Sequence, residues 1–368
     1  MGSKTFLISI LFFSFLTKTS PCLANEASVT LIYTSNNMGE VEPCSTCPEA
    51  GENGGLPRRS HFVNTVRKEG KPLLILDAGD ALVIDYFGRE SEREKARKRT
   101  EVVLKLYEKI GYDALNLGDT DIGLGVEYLR NLQKRVKFPF LSANLKDRKT
   151  GKPLFNPYLI KDVGGAKVGI IGLLTANVPS YLQKEMMNYL VEEPIKVAIN
   201  MVNGPMSHCS YIFALAHLTP SEIMNLAQRV SDISIIIGGQ DRSLVFPNKI
   251  SRSIVAQTDA FGFHVGRMNL RFTSRSSGWV DVLPRTLLQK NIEEIQRKID
   301  DPQYEKETKN LKGLRERLID QQRKLPDTEG KNIYENFLTL MHPKMESDKE
   351  IENLIESSRD QLKRPIPF

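Results

Sequence analysis

Acidic, amide and imidazole side chains follow short apolar runs along the first two thirds of the chain. Asn36, Asp80, Asp119, His217 and Gln240 each stand at or just beyond the end of such a run. Hard divalent cations prefer oxygen and nitrogen ligands of these kinds. We predict that Asp80, Asp119 and His217 converge on a polar pocket for one divalent cation (Mn, Mg or Zn), with Asn36 and Gln240 as weak carbonyl ligands. The alternative is that Asp80 caps a turn and His217 is an ordinary buried histidine.

Two cysteines separated by two residues form a second candidate site. Cys44 and Cys47 follow the loop that carries Asn36, and Cys209 stands apart from them. Such a pair is a structural clip, half of a zinc site that Cys209 or a histidine completes, or a redox centre. A redox role requires a lowered thiol pKa, which a helix N-terminus or nearby cations would supply.

Short apolar runs alternate with amphipathic stretches between residues 28 and 272. The predicted strands cover 29–33, 73–76, 114–117, 140–143, 167–172, 212–216, 233–237, 254–257 and 266–272. The predicted helices cover 58–68, 91–110, 125–133 and 220–229. Strands that alternate with helices predict an α/β domain with covered sheets and functional groups on the loops at the strand ends.

The composition changes beyond Trp279. Isoleucines and then leucines recur three and four residues apart amid dense charge, and Asp301-Pro302 between them is a helix start signal. We predict a charged helical hairpin over 285–326, folded on itself or on a partner, and a helical segment over 327–368 whose last helix covers 348–363. The hairpin is interpreted as a structural arm or an arm that docks a partner or a second copy.

The first 24 residues have the pattern of a cleaved export signal. Lys4 is followed by an apolar run over 6–16 and by Cys22-Leu23-Ala24, a signal-peptidase site. Lipidation of Cys22 is the alternative, but Pro21 does not suit it. We expect a domain over 25–284 in the periplasm or another extracytoplasmic compartment, with no membrane span. The formal net charge of +6 is mild and gives no support for nucleic-acid binding.

Several further motifs are collinear with the polar loops. Residues 54–59 read Gly-Gly-Leu-Pro-Arg-Arg, 110–114 read Ile-Gly-Tyr-Asp-Ala, 138–144 read Phe-Pro-Phe-Leu-Ser-Ala-Asn, and 260–262 read Ala-Phe-Gly. With them, residues 30–272 resemble the N-terminal domain of the 5'-nucleotidase (UshA-like) branch of the metallophosphoesterase superfamily. The resemblance implies a four-layer α-β-β-α, calcineurin-like fold, followed here by C-terminal helices.

The resemblance also implies a site for two cations about 4 Å apart, which activate a water and neutralise a phosphate. Asp80 and His217 match two of the seven ligand positions of the family pattern, and Asp119 is a usable substitute for an asparagine. These three residues are what is left for one cation.

The remaining positions of the family pattern are exchanged. Asn36 and Met38 replace an aspartate and a histidine, Thr120 replaces the catalytic histidine, and Gln240 and Arg242 replace two histidines. A thioether is a poor ligand for a hard cation, and a guanidinium places a fixed positive charge in a cation site. The pattern therefore predicts a degenerate site without a two-metal centre.

One exported subgroup of this branch carries Pro-Cys-x-x-Cys, or a selenocysteine variant, in the first loop. Residues 43–47 and 54–59 resemble this subgroup, and Gly118-Asp119-Thr120-Asp121 resembles its third motif; Pro57 in place of alanine is a departure. Because selenocysteine is useful only where the chalcogen reacts, this resemblance favours redox chemistry at Cys44 and Cys47.

Three functions remain open from the sequence. The first is thiol redox chemistry at Cys44 and Cys47, with a redox partner protein. The second is residual metal-dependent phosphoester hydrolysis, and the third is a non-catalytic binding module.

Overall fold

The structure, a computed structural model, describes residues 27–43, 51–84 and 90–363. Two β-sheets face each other, and helices cover their outer faces. The predicted export signal, Cys44 and Cys47 lie outside the described residues.

The elements follow one another in a largely alternating order. The strands are β1 (Ala27–Thr34), β2 (Leu73–Asp77), β3 (Ala114–Asn116), β4 (Phe140–Leu141), β5 (Leu145–Asp147), β6 (Tyr158–Val163), β7 (Ala166–Leu174), β8 (Tyr189–Val191), β9 (Tyr211–His217), β10 (Ile233–Gly238), β11 (Val245–Ile250), β12 (Ser253–Gln257), β13 (His264–Phe272), β14 (Trp279–Asp281) and β15 (Asn332–Leu340). The α-helices are α1 (Leu56–Arg67), α2 (Glu90–Ile110), α3 (Asp119–Ile122), α4 (Val126–Gln133), α5 (Pro194–Asn203), α6 (Pro220–Arg229), α7 (Leu283–Asp300), α8 (Thr308–Arg323) and α9 (Lys349–Ser357). Short 3-10 turns cover Ser180–Leu182, Glu185–Asn188, Pro302–Glu307 and Arg359–Leu362.

Each large sheet has a parallel centre. The seven-stranded sheet has the order β14-β15-β13-β1-β2-β3-β4, and β1 to β4 are parallel. The six-stranded sheet has the order β11-β12-β10-β9-β7-β6, and β7, β9, β10 and β12 are parallel. The loops that follow the carboxyl ends of the parallel strands are the ones that carried the polar residues in the sequence.

Apolar side chains fill three layers. Leu31 and Leu76 of the first sheet and Phe213 and Ile237 of the second are buried between the sheets. A second cluster lies between the first sheet and α1, α2, α4 and α9, and a third lies between the second sheet and α5 and α6. This four-layer α-β-β-α arrangement confirms the predicted fold class, and all nine predicted strands and four predicted helices occur in it.

The predicted hairpin is present, and it folds on itself. Ile292 and Ile295 of α7 are buried, and Gln322 of α8 donates to the side chain of Gln289 at 3.0 Å. Asp301 caps the connection by accepting from the backbone N–H of Gln303 at 2.9 Å, as the Asp-Pro signal predicted.

The prediction that residues 327–368 are helical is wrong for residues 332–340. These form β15, which lies between β13 and β14 in the seven-stranded sheet. Tyr334 packs edge to face on Trp279, and the partly polar alternation of the strand fits a face that is only half covered. The C-terminal segment is therefore part of the main sheet, and only its last part is helical.

No helix within the described ranges is both long enough and apolar enough to cross a bilayer.

Candidate metal centre

Three polar side chains meet at the carboxyl ends of the two sheets. Asp80 lies in the loop after β2, Asp119 is the first residue of α3, and His217 is the last residue of β9. Nε2 of His217 lies 3.7 Å from Oδ1 of Asp80 and 3.4 Å from Oδ1 of Asp119. One ligand atom of each residue lies within 4.8 Å of the other two, and the described ranges hold no second such group of three or more His, Cys, Asp or Glu residues. The structure thus brings together the three residues that the sequence placed in one pocket.

The loops after β1, β2, β3, β9 and β10 are called the first to fifth loops. Two glycines let the second and third loops pack backbone against backbone at this cluster. A Cβ atom on Gly79, whose φ is +114°, would lie 3.0 Å from the backbone N of Gly118, and a Cβ atom on Gly118 would overlap the carboxylate of Asp80. Asp121 ties the same loops together, because its carboxylate accepts from the backbone N–H groups of Leu82 and Gly118, both at 2.9 Å. The two loops therefore hold their carboxylates in fixed positions.

The first loop packs on the second through its backbone. The N–H of Asn36 donates to the carbonyl of Gly79 at 2.8 Å, and that of Met38 donates to the carbonyl of Asp80 at 2.9 Å. Asn36, Met38 and Asp80 have φ values of +53°, +56° and +53°. Non-glycine residues adopt this left-handed region at a cost of about 1–3 kcal/mol each, and such strain concentrates at functional sites. The backbone at the cluster is therefore strained on both loops.

Burial and mutual charge set the protonation of the cluster. Burial raises the pKa of Asp80 to about 6. Burial alone would lower the pKa of His217, but Asp80 and Asp119 raise it to about 9. The pKa of Asp119 is lowered: burial opposes ionisation, but the close contact with His217 and the charge of that ring outweigh it. The imidazole and the two carboxylates therefore stabilise one another's charged forms.

Unpartnered buried atoms show that the cluster fits a divalent cation. Within the described residues, neither ring nitrogen of His217 and neither polar atom of the Asn36 amide has a hydrogen-bond partner, although all four are buried. Leaving such groups unpaired costs about 1–3 kcal/mol each. A cation coordinated by the imidazole and the two carboxylates would satisfy the ring nitrogen that faces them, and this mixed nitrogen and oxygen set suits Mn²⁺ or Zn²⁺.

The exchanged positions lie on loops at the same ends of the two sheets as the cluster. Thr120 donates its backbone N–H to Oδ1 of Asp80 at 3.0 Å and so fixes the carboxylate, while its own hydroxyl is buried without a partner. Met38 is fully buried. Gln240 and Arg242 are half-buried on the loop after β10, and Arg242 also has a left-handed φ of +62°. Coordination by Asn36 or Gln240 stays a prediction.

A buried polar network that the sequence motifs did not predict lies under the first two loops. Arg59 of α1 donates to Oδ1 of Asn37 at 2.6 Å and to the hydroxyls of Tyr107 and Tyr112 at 3.3 and 3.1 Å. The hydroxyl of Tyr107 in turn donates to Asp77 at 3.0 Å. The one trace of this network in the sequence is the second arginine of the motif at residues 54–59.

Cys209 is a core residue. It is buried, with 3% of its surface exposed, and it precedes β9, so the length of that strand separates it from His217. Seven strand residues span roughly 23 Å. Cys209 therefore takes no part in the cluster around His217, while the roles of Cys44 and Cys47 remain predictions.

Comparisons with known proteins give one consistent answer. No protein-family model matches the chain. It is 27% identical over 315 residues to a snake venom 5'-nucleotidase of Gloydius brevicauda, covering 74% of this chain and 50% of the relative. It is 28% identical over 300 residues to a 5'-nucleotidase of Vibrio parahaemolyticus, covering 71% of this chain and 52% of the relative. The chain thus spans about half the length of the curated relatives that it matches.

Solved structures share the fold. A 5'-nucleotidase precursor from Thermus thermophilus aligns with a TM-score of 0.63 at 21% identity, covering 90% of this chain and 58% of the other. The calcineurin-like phosphoesterase YfkN from Bacillus subtilis aligns with a TM-score of 0.64 at 17% identity, covering 92% of this chain and 98% of the other. Together with the sequence relatives and the polar cluster at the strand ends, these likenesses support a relationship to the 5'-nucleotidase branch of the metallophosphoesterase superfamily.

Proposed function

We propose that this chain is a phosphomonoester hydrolase that works with one divalent cation, bound by Asp80, Asp119 and His217, in place of the two-metal centre of its family. The observation that carries the proposal is the convergence of these three side chains, in which Nε2 of the fully buried imidazole lies 3.4 Å from Asp119 and 3.7 Å from Asp80 without forming a hydrogen bond in the described residues. A cation between the imidazole and the two carboxylates would satisfy this nitrogen and both acids.

The chain's own residues would hold the reacting groups in place. A bound divalent cation polarises a phosphoryl oxygen and lowers the pKa of water. Asp80 is fixed by the N–H of Thr120, and Asp121 fixes the two loops that present Asp80 and Asp119. Because the strain and the hydrogen bonds set these positions before anything binds, the site needs little reorganisation when a phosphate arrives.

The exchanged residues define how this centre differs from that of an active two-metal relative. Met38 offers only a soft thioether beside the backbone of Asp80, and Arg242 adds a fixed positive charge to the fifth loop. We therefore expect hydrolysis slower than that of a two-metal enzyme. The relatives are named 5'-nucleotidases, and nucleoside monophosphates are the first substrates to test on this chain.

Hydrolysis assays with added metal test this proposal. We expect purified protein, stripped with a chelator, to hydrolyse 4-nitrophenyl phosphate only after Mn²⁺, Mg²⁺ or Zn²⁺ is added. The Asp119→Ala variant should lose this activity, because one of two carboxylates that hold the cation is gone. A control variant, Asp113→Asn, changes a carboxylate just before β3, at the end of that strand away from Asp119. This variant should keep the activity. Activity that survives both the chelator and Asp119→Ala would contradict the proposal.

Thiol redox chemistry at Cys44 and Cys47, in an exported protein, is the second candidate. The observation in its favour is the course of the chain on either side of them. The carbonyl of Val41 accepts from the N–H of Leu56 at 3.0 Å, and Pro43 packs against Gly55, so the chain enters and leaves this segment beside the first loop of the cluster. A reduction potential near that of glutathione would support a working pair, whereas a value below about −300 mV would mark a structural clip.

A further inference from the structure

A histidine–aspartate pair lies outside the metal centre. Nδ1 of His264 is 2.7 Å from Oδ2 of Asp259, and the backbone N–H of His264 donates to Oδ1 of the same carboxylate at 3.1 Å. The carboxylate is therefore fixed by two contacts, one to the backbone and one to the ring. With Nδ1 engaged in this way, Nε2 is the nitrogen that is left for another partner.

The pair belongs to the same edge of the sheet as the metal centre. β13 runs antiparallel to β1 with Gly266 opposite Tyr33, so His264, two residues earlier, lies level with the residue after Thr34. The strand order is β13-β1-β2, and Asp80 follows β2. Two strand spacings amount to about 10 Å between the backbones of β13 and β2.

The loop that carries Asp259 packs against the first loop of the metal centre. The hydroxyl of Thr258 accepts from the N–H of Ser35 at 2.8 Å, and the N–H of Phe261 donates to the carbonyl of Asn36 at 2.8 Å. Two hydrogen bonds, one on each side of Asp259 in the sequence, thus set the position of the pair relative to Asn36.

Exposure separates this histidine from the one in the metal cluster. The side chains of His264 and Asp259 are 22% and 21% exposed, whereas the side chain of His217 is 0% exposed. A ligand from solvent can therefore reach His264 directly. The side chain of His264 lies on the same face of β13 as those of Met268 and Leu270, which point between the two sheets.

We propose that His264, oriented by Asp259, is the general acid that protonates the leaving alcohol in the hydrolysis, and this role rests on the function proposed above. The bond between phosphorus and the leaving oxygen breaks, and the oxygen keeps the electron pair and takes the proton from Nε2. Water forms the new bond to phosphorus and releases a proton to solvent, and solvent returns a proton to the imidazole. The carboxylate of Asp259 stabilises the positive ring, as in other carboxylate–histidine pairs. The pair thereby supplies an imidazole in place of the catalytic histidine of the family pattern, whose position on the third loop is Thr120 in this chain.

Two substrates with different leaving groups test this assignment, with Mn²⁺ as the cation. A general acid contributes about 10²–10⁴-fold when the leaving group is a poor one, and much less when it leaves easily as an anion. We expect His264→Gln to lower kcat for glycerol phosphate by about 100-fold or more and kcat for 4-nitrophenyl phosphate by only a few fold. Mn²⁺ affinity should be unchanged in this variant. Asp259→Asn, which removes the negative charge beside the ring and weakens the contact that orients it, should show the same pattern.

His342→Gln is the matched control. This exposed histidine lies just after β15, the strand beside His264, and its Nδ1 accepts only the local N–H of Lys344 at 3.1 Å. Its kcat for both substrates should equal that of the unaltered protein. Equal losses for the two substrates in both His264→Gln and Asp259→Asn would overturn the acid role while leaving the metal site intact. Failure of the unaltered protein to hydrolyse either ester would overturn the proposed function and this role with it.

Discussion

Replacing Arg59 by methionine is expected to lower the free energy of unfolding by about 3–5 kcal/mol, the usual cost of removing a buried charge and leaving the buried groups around it uncompensated. Arg59 is 1% exposed, and burial alone would lower its pKa. The hydroxyls of Tyr112 and Tyr107 and the carboxylate of Asp77 more than compensate and raise it. Methionine keeps most of the apolar stem but leaves Asp77 without its cation and Asn37 without its donor.

The loss of stability should depend on pH. Burial raises the pKa of Asp77 in the folded protein, and the charge of Arg59 is among the groups that lower it. Without that charge the folded variant holds a proton on Asp77 to a higher pH than the unfolded chain, whose aspartates titrate near about 3.9. The unaltered folded protein also holds this proton above the unfolded value, but over a narrower range of pH, so the variant loses additional stability as pH rises through the interval between the two folded-state pKa values. The deficit of Arg59→Met should therefore be smaller near pH 4 than at pH 8.

Urea unfolding followed through the single tryptophan, Trp279, measures both effects. Arg58→Met is the matched control, because Arg58 is half-buried and its side chain donates to the backbone carbonyls of Glu52 and Gly54. That variant should lose only about 1 kcal/mol at either pH. A deficit of similar size in both variants, or one that does not change with pH, would show that Arg59 does not act through Asp77.

Asp80→Ala is expected to weaken Mn²⁺ binding by at least about 100-fold. Groups that only orient metal ligands are commonly worth 10–100-fold in affinity, and Asp80 is proposed to contact the cation itself. Removing its carboxylate also removes the acceptor that the N–H of Thr120 uses at 3.0 Å. Isothermal titration calorimetry on chelator-treated protein measures the affinity. The control is Asp147→Asn, a change in a half-buried carboxylate at the end of β5 that accepts from the backbone N–H of Thr150 and should leave the affinity as it was.

An affinity for Mn²⁺ that Asp80→Ala does not change would mean that the ion binds elsewhere. Circular dichroism of the variant at the same temperature separates this result from loss of the fold.

The strand ends made the fold and the central cluster predictable from the sequence. Apolar runs that stop at a polar residue mark buried strands whose carboxyl ends share one edge, so Asp80, Asp119 and His217 could be placed together without coordinates. The strand β15 could not, because its alternating polar residues suit a half-covered strand and a helix of the same length almost equally well.

The histidine–aspartate pair and the network around Arg59 could not be predicted from the sequence for a different reason. Asp259 and His264 are separated by four residues, and only the turn between them brings the two side chains to 2.7 Å. Arg59 and Asp77 belong to a helix and a strand whose packing no local pattern specifies. Contacts of this kind depend on tertiary structure, whereas the polar residues at the strand ends can be recognised in the amino-acid sequence.

The number of divalent cations bound per chain tests the central claim most directly. Native mass spectrometry of the purified protein, titrated with Mn²⁺ after removal of all metal, counts them without reference to any reaction. We predict one ion per chain, lost in Asp119→Ala, because Asp80, Asp119 and His217 form the one ligand group in the described residues. Two ions bound with comparable affinity, or an ion retained by Asp119→Ala, would contradict the account.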